Sequence, residues 1–152
     1  MTTGIPKVEY YYYSENTFTP ARIRSMVNIP LLIEDLKRGV TTLSEDAYCK
    51  GWGSTQTSIA FATVLMGVLG SLSGKEGVTA KHAKMTLTKK HHYTLKIETF
   101  SGYTLVFKGV SGGYYGEGSR GAHDVLKLFG FDARQCSRVF ERENFELRKT
   151  RI

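Results

Sequence analysis

The sequence predicts an α+β domain, a small and mostly antiparallel sheet packed against several helices. Apolar residues recur at helical spacing before Ser73 and again after Ser119, and between those blocks they alternate with polar ones from Met85 to Lys108. The chain has 152 residues, 41% of them hydrophobic and 23% charged, which suits one globular domain over residues 1–152 and argues against disorder.

In chain order, Val8-Glu9-Tyr10-Tyr11-Tyr12-Tyr13 is rich in branched and aromatic residues and reads as an N-terminal strand. In such a strand Tyr10 and Tyr12 face one side and Tyr11 and Tyr13 the other, leaving one pair for an edge or a partner. Thr19-Pro20 has the form of an N-cap followed by proline at the first helical position, with Ile23, Met26 and Val27 on the apolar side. Asn28 caps a second helix, whose Ile29, Leu32, Ile33 and Leu36 share a face and whose stop is Gly39. Ser44 opens a further turn before Gly51-Trp52-Gly53. The stretch from Thr55 to Gly70 is apolar nearly all round, as expected of a central core helix.

Alternation then takes over. Met85 and Leu87, then Tyr93, Leu95 and Ile97, then Tyr103, Leu105 and Phe107 predict a three-stranded meander, with Phe100-Ser101-Gly102 as a tight connection. Ala122, Val125, Leu126 and Phe129 form the stripe of a later helix that stops at Gly130. Asp132 and Gln135 have capping-box spacing for a following helix, which buries Cys136, Val139 and Phe140. Phe145 to Ile152 is a candidate C-terminal strand.

The longest apolar run, Ile59 to Leu72, spans 14 positions interrupted by Thr63, Gly67, Gly70 and Ser71. A bilayer crossing needs about 20 residues, so no membrane span is expected. Met1 to Pro6 lacks the basic and apolar segments of a secretion signal. Cys49 and Cys136 are too few for a disulfide scaffold or a metal cluster. The expectation is therefore a cytoplasmic protein without a metal or cofactor, with self-association left open.

Charge points to the partner. The formal charge is +7, and residues 1–74 are balanced at six basic against six acidic, so all of the excess lies in the second half. A basic half favours nucleotides, nucleic acid, phosphates or an acidic protein surface. Within it, Gly109 to Gly121 is a glycine-rich loop between a predicted strand and a predicted helix, containing a literal G-x-G-x-x-G at Gly116, Gly118 and Gly121. Glycines there let backbone amides turn toward an anion at a helix N-terminus. Ser119 and Arg120 would hold phosphate, and Tyr114 or Tyr115 would stack on a ring. A doubly wound dinucleotide site needs a parallel βαβ unit, which the meander contradicts, and the missing G-K-[ST] excludes an NTPase phosphate loop.

Two basic stripes extend this loop. Arg120, His123 and Lys127 lie opposite the apolar stripe of their helix, with Asp124 beside them. Arg134, Arg138 and Arg142 recur every fourth residue on the next helix. The leading expectation is a non-catalytic protein that binds a phosphate-bearing ligand (a nucleotide, a nucleotide-derived signal or nucleic acid), with Arg134 and Arg138 adding attraction. The alternative is a protein–protein module, an inhibitor or assembly subunit, docking on an acidic partner. A third reading is a small metal-independent phosphodiesterase or nuclease, with His123 as acid or base, Glu117 or Glu141 as its counterpart and Arg120 on the phosphate.

Overall fold

In a computed structural model, residues 19–51, 53–89 and 92–149 are described. The Val8–Tyr13 segment lies outside them. The chain is α+β, as expected, with a five-stranded sheet.

Two short helices open the described chain, α1 (Pro20–Met26) and α2 (Ile29–Lys37). Thr19 accepts a hydrogen bond from the Arg22 amide at 3.2 Å, and Asn28 accepts one from the Leu31 amide at 3.1 Å. Each side chain thereby takes up an amide that the helix itself leaves unbonded. After α2 the chain forms the three-residue strand β1 (Thr42–Ser44) and one turn of helix, α3 (Glu45–Tyr48). The long helix α4 (Thr55–Gly77) follows, bent at Gly74, where φ is 75°. Ile59, Phe61, Leu65 and Leu69 on it are fully buried. Its first 20 residues, Thr55–Gly74, are apolar and long enough to cross a membrane by length and composition, yet half of the most apolar window is buried within the protein.

Strands β2 (Ala80–Lys89), β3 (His92–Thr99) and β4 (Thr104–Phe107) form the predicted antiparallel meander. Gly102, at φ 98°, supplies the left-handed turn between the last two. Helix α5 (Glu117–Leu128) then runs to Gly130, at φ 99°. Asp132 and Gln135 form the full capping box at the start of α6 (Ala133–Cys136), which tightens into a 3-10 turn over Ser137–Phe140. Strand β5 (Phe145–Arg148) pairs antiparallel with β2. The strand order is β1-β4-β3-β2-β5.

One sheet face is apolar and helix-covered, through Ala83, Met85, Leu95, Ile97, Leu105, Phe107, Phe145 and Leu147. The opposite face is polar and carries Lys84, Lys96 and Glu98. The sheet is mostly antiparallel, as expected, and β1, whose three residues are too few to show alternation, adds one parallel pairing with β4. One expectation needs correction. Arg134, Arg138 and Arg142 do not form one helical stripe, because α6 gives way to a 3-10 turn after a single α-helical turn and the spacing loses its meaning.

Candidate functional site

The glycine-rich connection from β4 to α5 packs against its surroundings more tightly than its composition suggests. The Ser111 amide donates to the Gly118 carbonyl at 3.1 Å, and the Gly113 amide donates to the Val139 carbonyl at 2.7 Å. A Cβ on Gly109 would collide with the Ser54 carbonyl, and one on Gly112 would lie 2.9 Å from the Arg142 carbonyl oxygen. Much of the glycine content therefore serves close backbone approach. The expected open cradle over the whole loop is not formed.

The start of α5 is packed in part as well, since a Cβ on Gly118 would collide with Ser111 Oγ and Ser119 is buried. Its first internal hydrogen bond runs from the Arg120 amide to the Gly116 carbonyl at 3.0 Å, so the amides of Glu117, Gly118 and Ser119 precede the ladder. Gly116 supplies no side-chain cap. Helix α4 begins nearby: its ladder starts with the Ser58 amide on the Ser54 carbonyl, and Thr55 Oγ1 donates to the Gly109 carbonyl at 2.9 Å.

Between these two helix starts and the end of β4 lies an open groove of about 830 Å³. Thr55, Gly109, Ser111 and Gly118 form part of its wall, together with the half-buried Lys108. Tyr93, Tyr114, Glu117 and Glu143 also line it. Tyr114 is held by a 2.9 Å hydrogen bond between its hydroxyl and Ser111 Oγ, and the Tyr93 hydroxyl lies 3.4 Å from Glu143 Oε2. Burial and then the Glu143 charge hold the Tyr93 phenol above its ordinary value, so it donates and does not ionise. His92 reaches the same groove from the hairpin end.

Beneath this wall is a buried carboxyl. Glu45 is fully buried, accepts from Ser58 Oγ at 2.6 Å and the Lys108 amide at 2.9 Å, and leaves Oε2 without a partner among the described residues. Ser58 Oγ in turn accepts from the Gly109 amide at 2.9 Å. Burial pushes the Glu45 carboxyl above the usual range, against the pull of these hydrogen bonds. Glu45 thus pins the groove's floor without lining it.

The expected site residues divide. Tyr114, Glu117 and Gly118 come together in the groove. Ser119 and Gly121 are buried, and the Ser119 hydroxyl has no partner among the described residues, so neither side of the helix start presents them to a ligand. Arg120 is half-buried and engaged by a contact of its own. Gly116 meets the Tyr114 ring, and Tyr115 stacks on Phe140 with ring centres 4.6 Å apart. His123 lies against the same Phe140, with Nδ1 3.1 Å from Oδ1 of Asp124. That carboxylate is fully buried. Glu141, Arg134 and Arg138 are exposed on or beside the α6 segment and do not line the groove.

Sequence reasoning missed Lys108, Tyr93, Glu143 and Glu45. For Lys108 a signal existed, since it ends a predicted strand immediately before the glycine loop. Burial pushes both cysteine thiols up to about 12, so Cys49 and Cys136 are packing residues. No protein-family model, curated protein sequence or solved structure matches this chain.

Proposed function

We propose that this protein binds a phosphate-bearing small ligand, a nucleotide or nucleotide-derived signal, in the groove at the end of β4, without catalysing its turnover. The observation that carries the reading is the convergence on one groove of two helix starts, a lysine and two tyrosines. The start of α5 offers amides without intrahelical acceptors and the positive end of a helix dipole, a combination suited to phosphate. Lys108 adds a charge-assisted contact. Tyr93 and Tyr114 present faces for a base. Glu117 and Glu143 are acceptors, which bare phosphate would avoid but sugar hydroxyls and base amines would use. The mixture therefore favours a whole nucleotide over an isolated anion. The two free, buried thiols are in keeping with a reducing, cytoplasmic setting.

Calorimetry with a panel of nucleoside monophosphates, the matching nucleosides and inorganic phosphate tests this. A nucleotide should bind more tightly than either of its parts. Lys108→Ala should weaken it by about 1.5–3 kcal/mol, the scale of a hydrogen bond to a charged group. If no nucleotide binds at millimolar concentration, or if Lys108→Ala leaves affinity unchanged, the reading is wrong.

A further inference from the structure

Lys84 on β2 and Lys96 on β3 are directly opposite each other on the sheet face away from the apolar cluster, and both are exposed. Like charges in this relation destabilise a sheet. Neither lysine forms an ion pair with a described residue. The nearest cross-strand acid, Glu146 opposite Lys84, is already engaged by His82 at 2.6 Å and Arg148 at 3.2 Å. Lys84 still helps to hold the Glu146 carboxyl below its usual range, and Glu98 shares the face, but neither lysine is paired in a salt bridge with a described residue.

The position of this pair gives it a use. Lys96 pairs with Val106 on β4, and by strand alternation Thr94 and Lys108 are the next positions along the same face. Both of those residues line the groove. A track of positive charge and threonine hydroxyls therefore leads from the outer sheet face into the groove that holds the two tyrosines. A ligand that fits must carry anions at repeated intervals and a ring at one end.

We infer that the protein binds single-stranded nucleic acid, its terminal nucleotide in the groove and its following phosphates over Lys96 and Lys84. This rests on the nucleotide reading of the groove and extends it along the sheet. An acidic peptide would match the lysines but would leave the tyrosine-lined end without a ring to stack on.

The test uses the whole protein with random-sequence single strands of about eight nucleotides, DNA and RNA, within the range of site sizes known for such surfaces. Mononucleotides and polyglutamate serve as comparison ligands. The oligonucleotide should bind at least tenfold more tightly than the mononucleotides. Lys84→Gln combined with Lys96→Gln should remove that advantage, leave mononucleotide affinity unchanged, and flatten the dependence of log affinity on log salt by about 1.4, from about 0.7 per phosphate contact on a single strand. Both substitutions are at exposed positions, and a cooperative circular dichroism melt with a midpoint no lower than the parent's verifies that the variant folds. If mononucleotides bind and the oligonucleotide binds no better, this inference fails while the groove reading stands. If nothing binds, both fail. Competition by polyglutamate as effective as that by the oligonucleotide, or equal affinity for a duplex, overturns the single-strand assignment.

Discussion

At the scale of single residues, Glu45 has the largest predicted consequences. Its carboxyl accepts from Ser58 and the Lys108 amide while fully buried, and burial raises its proton affinity above the ordinary value of 4.5. A carboxyl raised in the folded state contributes stability that is complete below its unfolded value and is lost as pH rises through the folded one. Ionisation therefore works against the fold on the alkaline side of 4.5. Glu45→Gln keeps a carbonyl acceptor for the same donors and has no charge to form. Thermal melts of the two proteins should converge near pH 4 and separate toward pH 8, with the variant gaining relative to the parent. Parallel curves would show that Glu45 does not titrate in this range. Glu45→Ala should cost about 2–5 kcal/mol, because Ser58 and the Lys108 amide lose a buried acceptor. None of this was legible in the sequence. Ser44-Glu45-Asp46 reads as an ordinary helix start, and the donors Ser58 and Lys108 come from residues more than ten positions away. His82 has the same history: no carboxylate stands near it in the chain, yet Glu98 and Glu146 flank it across the sheet.

At the scale of elements, local chemistry was a good guide where it is local in fact. The capping residues Thr19, Asn28 and Asp132, the stop at Gly130 and the turn at Gly102 all occupy the positions their types imply. The glycine-rich loop was legible as a strand-to-helix connection, but the work of each glycine depends on neighbours contributed by other elements. Those neighbours separate two substitutions of identical chemistry. A Cβ at Gly109 meets the backbone of Ser54 and the Ser58 hydroxyl, neither of which can withdraw without disturbing the start of α4. Gly109→Ala should therefore cost about 3 kcal/mol, at the upper end for overpacking. A Cβ at Gly116 meets only the ring of Tyr114, which is 49% exposed and free to swing outward. Gly116→Ala should cost about 1 kcal/mol, the scale of the Ser111–Tyr114 hydrogen bond, while displacing a ring from the groove. Urea titrations measure the stability difference directly. Equal losses for the two variants would mean that the loop repacks as a unit and that Gly109 is not held against α4.

At the scale of the whole molecule, fold class was legible because periodicity changes twice along the chain, whereas strand order was not. The parallel pairing of β1 with β4 joins residues about sixty positions apart, and no local pattern encodes such a partner. The same long-range closure makes the unfolding behaviour predictable. Cys49 follows α3 and Cys136 ends α6, so they report on the two ends of the described chain, yet both belong to a single buried apolar cluster that also includes Phe61, Phe107 and Phe129. Each thiol is held at about 12 by burial, so in the native state at pH 8 neither is an effective nucleophile. If that cluster is one cooperative core, the two thiols should become reactive together, at the urea concentration where helical circular dichroism is lost. Pulse labelling with a thiol reagent followed by mass spectrometry of the peptides distinguishes them by site. Modification of Cys49 at distinctly lower urea than Cys136 would show that α1 to α3 detach first and that the core divides in two. Coincident modification would make Phe61, packed 6.0 Å from Tyr48 and 5.7 Å from Phe107 between ring centres, the link that binds the acid-pinned first half to the groove-bearing second.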